Sequence, residues 1–218
     1  MKRLLLVAVA VVTMAFSAVG APLCSSVLGS DVTTLNAGGG CELGPYLFDS
    51  FAVQDAALQG GGPVLLTGVA VNSAISLYTL IFNAQLGNPN VSQDLHFVMR
   101  VTTINGGIGV NAVGLSATGT GGGSHVQENV CNSSGVNINN GICIVPPQLF
   151  GGVAFAGQTI PVTGVTGQSV VWVWKDINSD PNGTLTTFTQ SFQVPEPLTS
   201  LMLGAGLLGL GLIRRKRA

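Results

Sequence analysis

Asp176-Ile177-Asn178-Ser179-Asp180-Pro181-Asn182-Gly183 places an oxygen-bearing side chain at every second position. Calcium loops use that spacing to wrap carboxylates and amides around the ion. An EF-hand loop also needs glycine at its sixth position and a bidentate glutamate at its twelfth, and those positions hold Pro181 and Thr187. Asp, Asn, Pro and Gly are equally what a tight hairpin turn selects. Asp176, Asn178, Asp180 and Asn182 are therefore a calcium candidate set against a plain turn, and no other metal site is expected. The two histidines, His96 and His125, stand in no metal-ligand spacing and read as ordinary strand or surface positions. No Gly-x-Ser-x-Gly is present to present a nucleophile. Asp49, Asp55, Asp94 and Glu128 are a pool from which glycoside hydrolysis would need two, and nothing in the sequence selects a pair. Trp172 and Trp174 share one strand face with Val170, which fits core packing or, alternatively, a platform on which sugars stack. Gly107-Ile108-Gly109-Val110-Asn111-Ala112 matches a dinucleotide fingerprint only formally, because its flanks are β-like where the fingerprint needs a helix. With no catalytic set and no cofactor motif, the expectation is a protein that is not an enzyme and carries no cofactor.

The elements that would hold these residues are strands. Short alternating runs separated by Gly/Asn clusters fill the middle of the chain. In Gln93 to Thr103, Leu95, Phe97, Met99 and Val101 alternate with Asp94, His96, Val98 and Arg100. Such a pattern puts one face on a core and turns the other outward. Ser73 to Asn83, Ile108 to Thr118, His125 to Val130, Gly151 to Ala156 and Thr159 to Thr166 read the same way. Gln168 to Asp176 and Thr184 to Phe192 look like the last two strands, joined at Asn178 to Gly183. Gln54 to Gln59 has the look of one helical turn. The expected fold is all-β, a β-sandwich of jelly-roll type with roughly nine or ten strands, in one domain over residues 21–193.

Charge narrows the partners. Of eight basic residues, two lie in the first three positions and four in the last five, which leaves only Arg100 and Lys175 between them. Eight of the nine acidic residues lie in that same middle region. A body so poor in Lys and Arg has no electrostatic footprint for nucleic acid.

The ends say where the chain goes. Met1-Lys2-Arg3 followed by the apolar run Leu4 to Val12 has the form of a signal peptide, and Ala18-Val19-Gly20 supplies small residues before a cut at Ala21. In an exported chain four cysteines point to disulfides. Of three connectivities the local one, Cys24–Cys41 with Cys131–Cys143, closes two Gly/Asn-rich loops and is favoured; no Cys-x-x-Cys argues for a metal. At the other end Val194-Pro195-Glu196-Pro197 precedes sixteen uncharged residues, 198–213, and then Arg214-Arg215-Lys216-Arg217. That run is long enough for a short transmembrane helix, glycine being tolerated there. The basic cluster keeps its end cytoplasmic as a stop-transfer signal and leaves the body outside.

Motif, apolar helix and basic end, in this order and spacing, resemble the PEP-CTERM sorting signal of exported bacterial proteins. The resemblance covers about 25 residues and is silent on the body. It implies processing near the Pro-Glu-Pro motif by an exosortase-type enzyme, in bacteria that make exopolysaccharide and biofilm. The expected protein is a non-enzymatic cell-surface or extracellular-matrix component. It would be tethered first to the inner membrane and then released to the surface or beyond, with exopolysaccharide as a candidate partner. A secreted carbohydrate-binding or glycan-acting sandwich is the alternative.

Overall fold

A computed structural model of the chain describes residues 20–55, 63–87, 90–104, 109–121 and 123–194. The expected signal peptide, up to residue 19, and the sorting tail, from Pro195 on, lie outside the described residues. Among the described residues no helix is long and apolar enough to cross a membrane.

Eleven strands are described: β1 (Cys41–Leu43), β2 (Tyr46–Asp55), β3 (Leu65–Asn72), β4 (Leu77–Leu86), β5 (Gln93–Thr103), β6 (Val110–Thr120), β7 (His125–Cys131), β8 (Phe150–Phe155), β9 (Thr159–Gln168), β10 (Val170–Ser179) and β11 (Thr184–Gln193). They form two sheets whose strand pairs are all antiparallel, in the orders β1-β2-β5-β10-β7-β8 and β3-β4-β11-β6-β9. The body is an all-β, two-sheet sandwich. Among the described residues the one α-helix, α1 (Val32–Leu35), is capped by Asp31, whose carboxylate accepts the Thr33 N–H at 2.8 Å.

Alternation does the sorting that the sequence promised. On β5 the odd-numbered set Leu95, Phe97, Met99 and Val101 is buried between the sheets. Opposite them β4 contributes Leu80 and Phe82, and β11 contributes Phe188 and Phe192. The rings of Phe82, Phe97 and Phe188 meet at centroid distances of 5.1 to 5.7 Å. Burying each such ring is worth about 1.5–3 kcal/mol, with about 0.5–1.5 kcal/mol more for each aromatic pair.

All eight strands expected from alternation are present, and three more precede them. In β2 the inward residues are Tyr46 and Phe48, then Phe51. The slip from even to odd occurs at a bulge between Asp49 and Ala52, where Ser50 has φ +53°. One extra residue reverses which side chains face the core, so the period of two is broken in the sequence. Gln54 and Asp55 belong to this strand and not to a helical turn; residues 56–59 lie outside the described residues. In β3 most side chains past Leu66 are exposed or half-buried, and a bulge at Leu66–Gly68 adds a second irregularity.

Both disulfides form with the local connectivity. Cys24–Cys41 ties the turn at Cys24–Ser26 to β1, and Cys131–Cys143 closes the segment that follows β7. No described cysteine is free.

Candidate functional site

The outer face of the β1-β2-β5-β10-β7-β8 sheet gathers the polar side chains that the core rejects. Asp94 and His96 leave β5 on that face by alternation, as Asp176 and Asn178 leave β10. Strand register then decides who meets whom. Asp176 stands opposite His96 on β5 and Gln127 on β7, and Asn178 stands opposite Asp94 and His125. Cross-strand neighbours are within side-chain reach. One ligand atom each from Asp94, His96 and Asp176 lies within 4.8 Å of the other two.

This cluster is half closed to water. His96 is only 8% exposed, and the Trp174 ring lies 5.1 Å from its own. The His96 Nε2 atom is 3.8 Å from Asp94 Oδ1. Three of the cluster's atoms, Asp94 Oδ1, His96 Nδ1 and Asp176 Oδ1, are buried without a hydrogen-bond partner. The Asp176 carboxyl is pushed up to about 7, first by burial and then by the Asp94 carboxyl beside it, with His125 pulling the other way. His125 is itself fixed: its Nδ1 sits 2.7 Å from the Gly123 carbonyl. A carbonyl only accepts, so Nδ1 carries the proton and the lone pair of the neutral ring is on Nε2.

The other candidate residues are placed differently from one another. Val170, Trp172 and Trp174 do share a face, the outer one. Trp174 is nevertheless 3% exposed, because residues 132–149 fold over it. Its indole N–H donates to the Ile138 carbonyl at 2.7 Å, and Gly141 packs so tightly on the ring that a Cβ there would collide with it. A stacking platform built from both tryptophans is therefore closed, and the cover is a loop and not the interior of the sandwich. Trp172 lies under the Arg100 guanidinium at 5.8 Å, and Arg100 grips Asp49 through two hydrogen bonds of 2.7 and 2.6 Å.

The calcium candidate set is divided. β10 continues to Ser179, so Asp176 and Asn178 belong to the strand while Asp180 and Asn182 belong to the turn. Gly183 N–H closes that turn on the Asp180 carbonyl at 2.9 Å, and Asn182 takes φ +63°. Asp180 packs its carboxylate against Gly123. Asp176 joins Asp94 and His96 instead, the only group of three or more acidic, cysteine or histidine ligands among the described residues. In the carboxylate pool Asp49 is taken by Arg100, while Glu128 points inward to Lys175. The carboxyl that faces Asp94 is Asp176, which was not in that pool. Asp94-x-His96 was visible as two residues of one strand face; its partner on β10 was not, because sequence does not give register.

Of the sorting motif only Val194 is described. It packs partly buried against the core and donates its N–H to the Ser76 carbonyl at 3.2 Å. Pro195, Glu196, Pro197, the run 198–213 and Arg214, Arg215, Lys216 and Arg217 lie outside the described residues.

Fold and site together define a disulfide-clamped all-β sandwich with a histidine–aspartate cluster on one outer face. No known family model matches this chain. No curated protein matches it. Among solved structures it is similar to the K1 cleaved adhesin domain of Lys-gingipain from Porphyromonas gingivalis W83. The identity is 10% and the TM-score 0.31, over 70% of this chain and 99% of that one. A likeness of that size carries no argument here.

Proposed function

We propose that the chain is an exported, non-enzymatic component of the bacterial cell surface or extracellular matrix. Its body, residues 21–193, would be delivered by the signal peptide at 1–20 and the sorting tail at 194–218. The observation that carries this reading is the pair of closed disulfides, Cys24–Cys41 and Cys131–Cys143, since such bonds persist in oxidising compartments. The apolar run at 198–213 would hold the precursor in the inner membrane until an exosortase-type enzyme cuts near Pro195. We read the sandwich as a jelly roll. Strands β4 to β11 support this with the orders β4-β11-β6-β9 and β5-β10-β7-β8, in which the chain changes sheet at every step but β7 to β8.

Mass spectrometry of the protein from its native cell tests the proposal. The expected species starts at Ala21, ends near Pro195 and has every cysteine oxidised. An intact Met1 to Ala218 chain with free thiols in the cytosol would overturn it. The glycan-binding alternative now rests on Trp172 alone, and saturable binding to the producer's own polysaccharide, lost in Trp172→Ala, is its test.

A further inference from the structure

The cluster on the outer face poses a question of charge. Asp94 Oδ1, Asp176 Oδ1 and His96 Nδ1 are buried polar atoms without partners, at one place. More than about nine in ten buried polar atoms in proteins find a partner, so three failures together need a physical reason. Two carboxyls that face one another cannot both stay ionised in a half-dry site unless a positive charge stands between them. Among the described residues no lysine or arginine supplies it, and the basic groups at the site are the imidazoles of His96 and His125. The body contains two basic residues, Arg100 and Lys175. Arg100 is engaged with Asp49, and Lys175 is on the opposite face of the sheet, fully buried against Glu128. A proton held by Asp176 or a bound cation relieves such a pair, and a cation would also engage the ligand atoms that Asp94, His96 and Asp176 bring within 4.8 Å of one another.

The donor set says which kind. Imidazole nitrogen combined with carboxylate oxygen suits borderline divalent ions of the zinc class, whereas calcium takes six to eight oxygens and has little use for imidazole. We propose that Asp94, His96 and Asp176 form a binding site for a divalent transition-metal ion of the zinc class. The strands hold all three ligands: a two-residue step on β5 supplies two of them, and the register with β10 supplies the third. The Trp174 ring lies beside the His96 ring, tilted, with centroids 5.1 Å apart. Three protein ligands leave a zinc ion one further coordination position, open to water or to an anionic ligand. His125, with Nδ1 locked on the Gly123 carbonyl, adds a second oriented imidazole that acts electrostatically on Asp176. This assignment does not depend on export or on the sorting tail.

The test is metal uptake by the full chain, purified in mild detergent and stripped with a chelator. Titration with Zn²⁺ in a calorimeter should show one equivalent bound. His96→Gln and Asp176→Asn should each weaken binding by at least about tenfold, the scale on which even outer-shell contacts to a metal act. Asp180→Asn, in the adjoining turn, should bind as the parent does. No uptake by the parent would overturn the proposal, as would an undiminished site in His96→Gln. Equal losses in Asp180→Asn and Asp176→Asn would overturn it too, by moving the site to the turn. If His96→Gln does not fold, the unmodified sequence still decides the matter. Zn²⁺ should move the His96 ring nitrogen resonances in the NMR spectrum, and unmoved resonances at saturating metal would sink the assignment.

Discussion

Lys175 and Asp176 are neighbours in the chain and face opposite sides of one sheet, and each sits in a polar cluster the fold must tolerate. Lys175 points inward among phenylalanines. Its ammonium donates to Glu128 Oε2, the Gln190 amide donates to Glu128 Oε1 at 3.3 Å, and the Phe188 ring lies 5.6 Å from Nζ. Lys175, Glu128 and Gln190 are fully buried, and Gln190 Oε1 is left without a hydrogen-bond partner. Burial pulls the Lys175 proton affinity down, and the Glu128 carboxylate beside it works in the other direction. Asp176 points outward, into a site closed enough to strand polar atoms, and meets a second carboxyl and an imidazole in place of a cation. The inner cluster brings a lysine as its counter-charge, and the outer one has only imidazoles. Burial, complete at Lys175 and partial at Asp176, therefore has different consequences: the first group is paired in charge within the chain, and the second would be stabilised by a bound cation.

The sharpest way to break the comparison is to unbalance the inner cluster. Removing one member of a buried pair leaves the other charged and unpaired, at a cost of about 3–5 kcal/mol. Lys175→Met or Glu128→Leu alone should each lower the urea-derived unfolding free energy by that amount. The double variant should recover most of it, because apolar residues of similar volume replace a buried pair at little cost or a gain. Zinc binding should survive in the double variant, since its changes lie on the other face. A double variant no more stable than the singles would show that the pair is not self-contained.

Next in size is the cover over the outer face. Cys131–Cys143 closes a separation of 12 residues and Cys24–Cys41 one of 17, each worth about 3 kcal/mol in the chain-entropy view. Replacing either pair by serine should cost about that much. Only the Cys131→Ser/Cys143→Ser variant should also shift tryptophan fluorescence to the red, because residues 132–149 are what shield Trp174. An equal red shift in Cys24→Ser/Cys41→Ser would mean that the shielding of Trp174 does not come from this loop.

How much of this could be read in advance follows from the same alternation. β5 alternates in sequence and has the expected bounds, Gln93–Thr103, whereas β10 was expected to end at Asp176 and runs to Ser179, with Lys175 on its inward face. β2 was not legible, because the bulge at Ser50 shifts Phe51 into phase with the core and scrambles the pattern. The disulfides were legible as local closures of Gly/Asn-rich loops. The cluster was legible only in half. A histidine two residues from an aspartate on a strand shares its face, but the arrival of Asp176 depends on a pairing 80 residues away in sequence. The oxygen-rich run containing Asp176 looked like a loop because its composition favours turns, whereas β10 continues through Asn178 and pulls Asp176 out of it. Trp174 fitted either a core or a platform; the loop that buries it is glycine- and asparagine-rich, with no periodicity to announce a contact.

A milder perturbation is pH, applied to chelator-stripped protein. Asp176 titrates near 7 in the folded chain against an ordinary value near 4. A raised carboxyl means that the folded state holds a proton the unfolded state has already lost, so stability falls as pH rises from about 4 to 7. The loss should be about 1–2 kcal/mol once partial access of water is allowed for. Thermal melts at pH 4.5 and 7.5 read it. Asp94, His96 and His125 face the same group, so the sharper form of the test is Asp176→Asn, which should flatten the slope. Zinc should do likewise in the parent by supplying a positive charge. A parent whose stability rises across this window would contradict the raised value.

The smallest expected effect isolates the hydrogen bond beneath the loop. Trp174→Phe keeps an aromatic ring beside His96, at present 5.1 Å away, but deletes the indole N–H that serves the Ile138 carbonyl. Losing one such bond should cost about 1 kcal/mol. If the loop's hold on the sheet and the cluster's hold on a metal are separate, this variant should melt slightly lower and bind zinc as the parent does. A zinc affinity that falls with it would mean that residues 132–149 position His96 through the tryptophan. The outer cluster would then depend on the Cys131–Cys143 clamp, as the inner one depends on its own counter-charge.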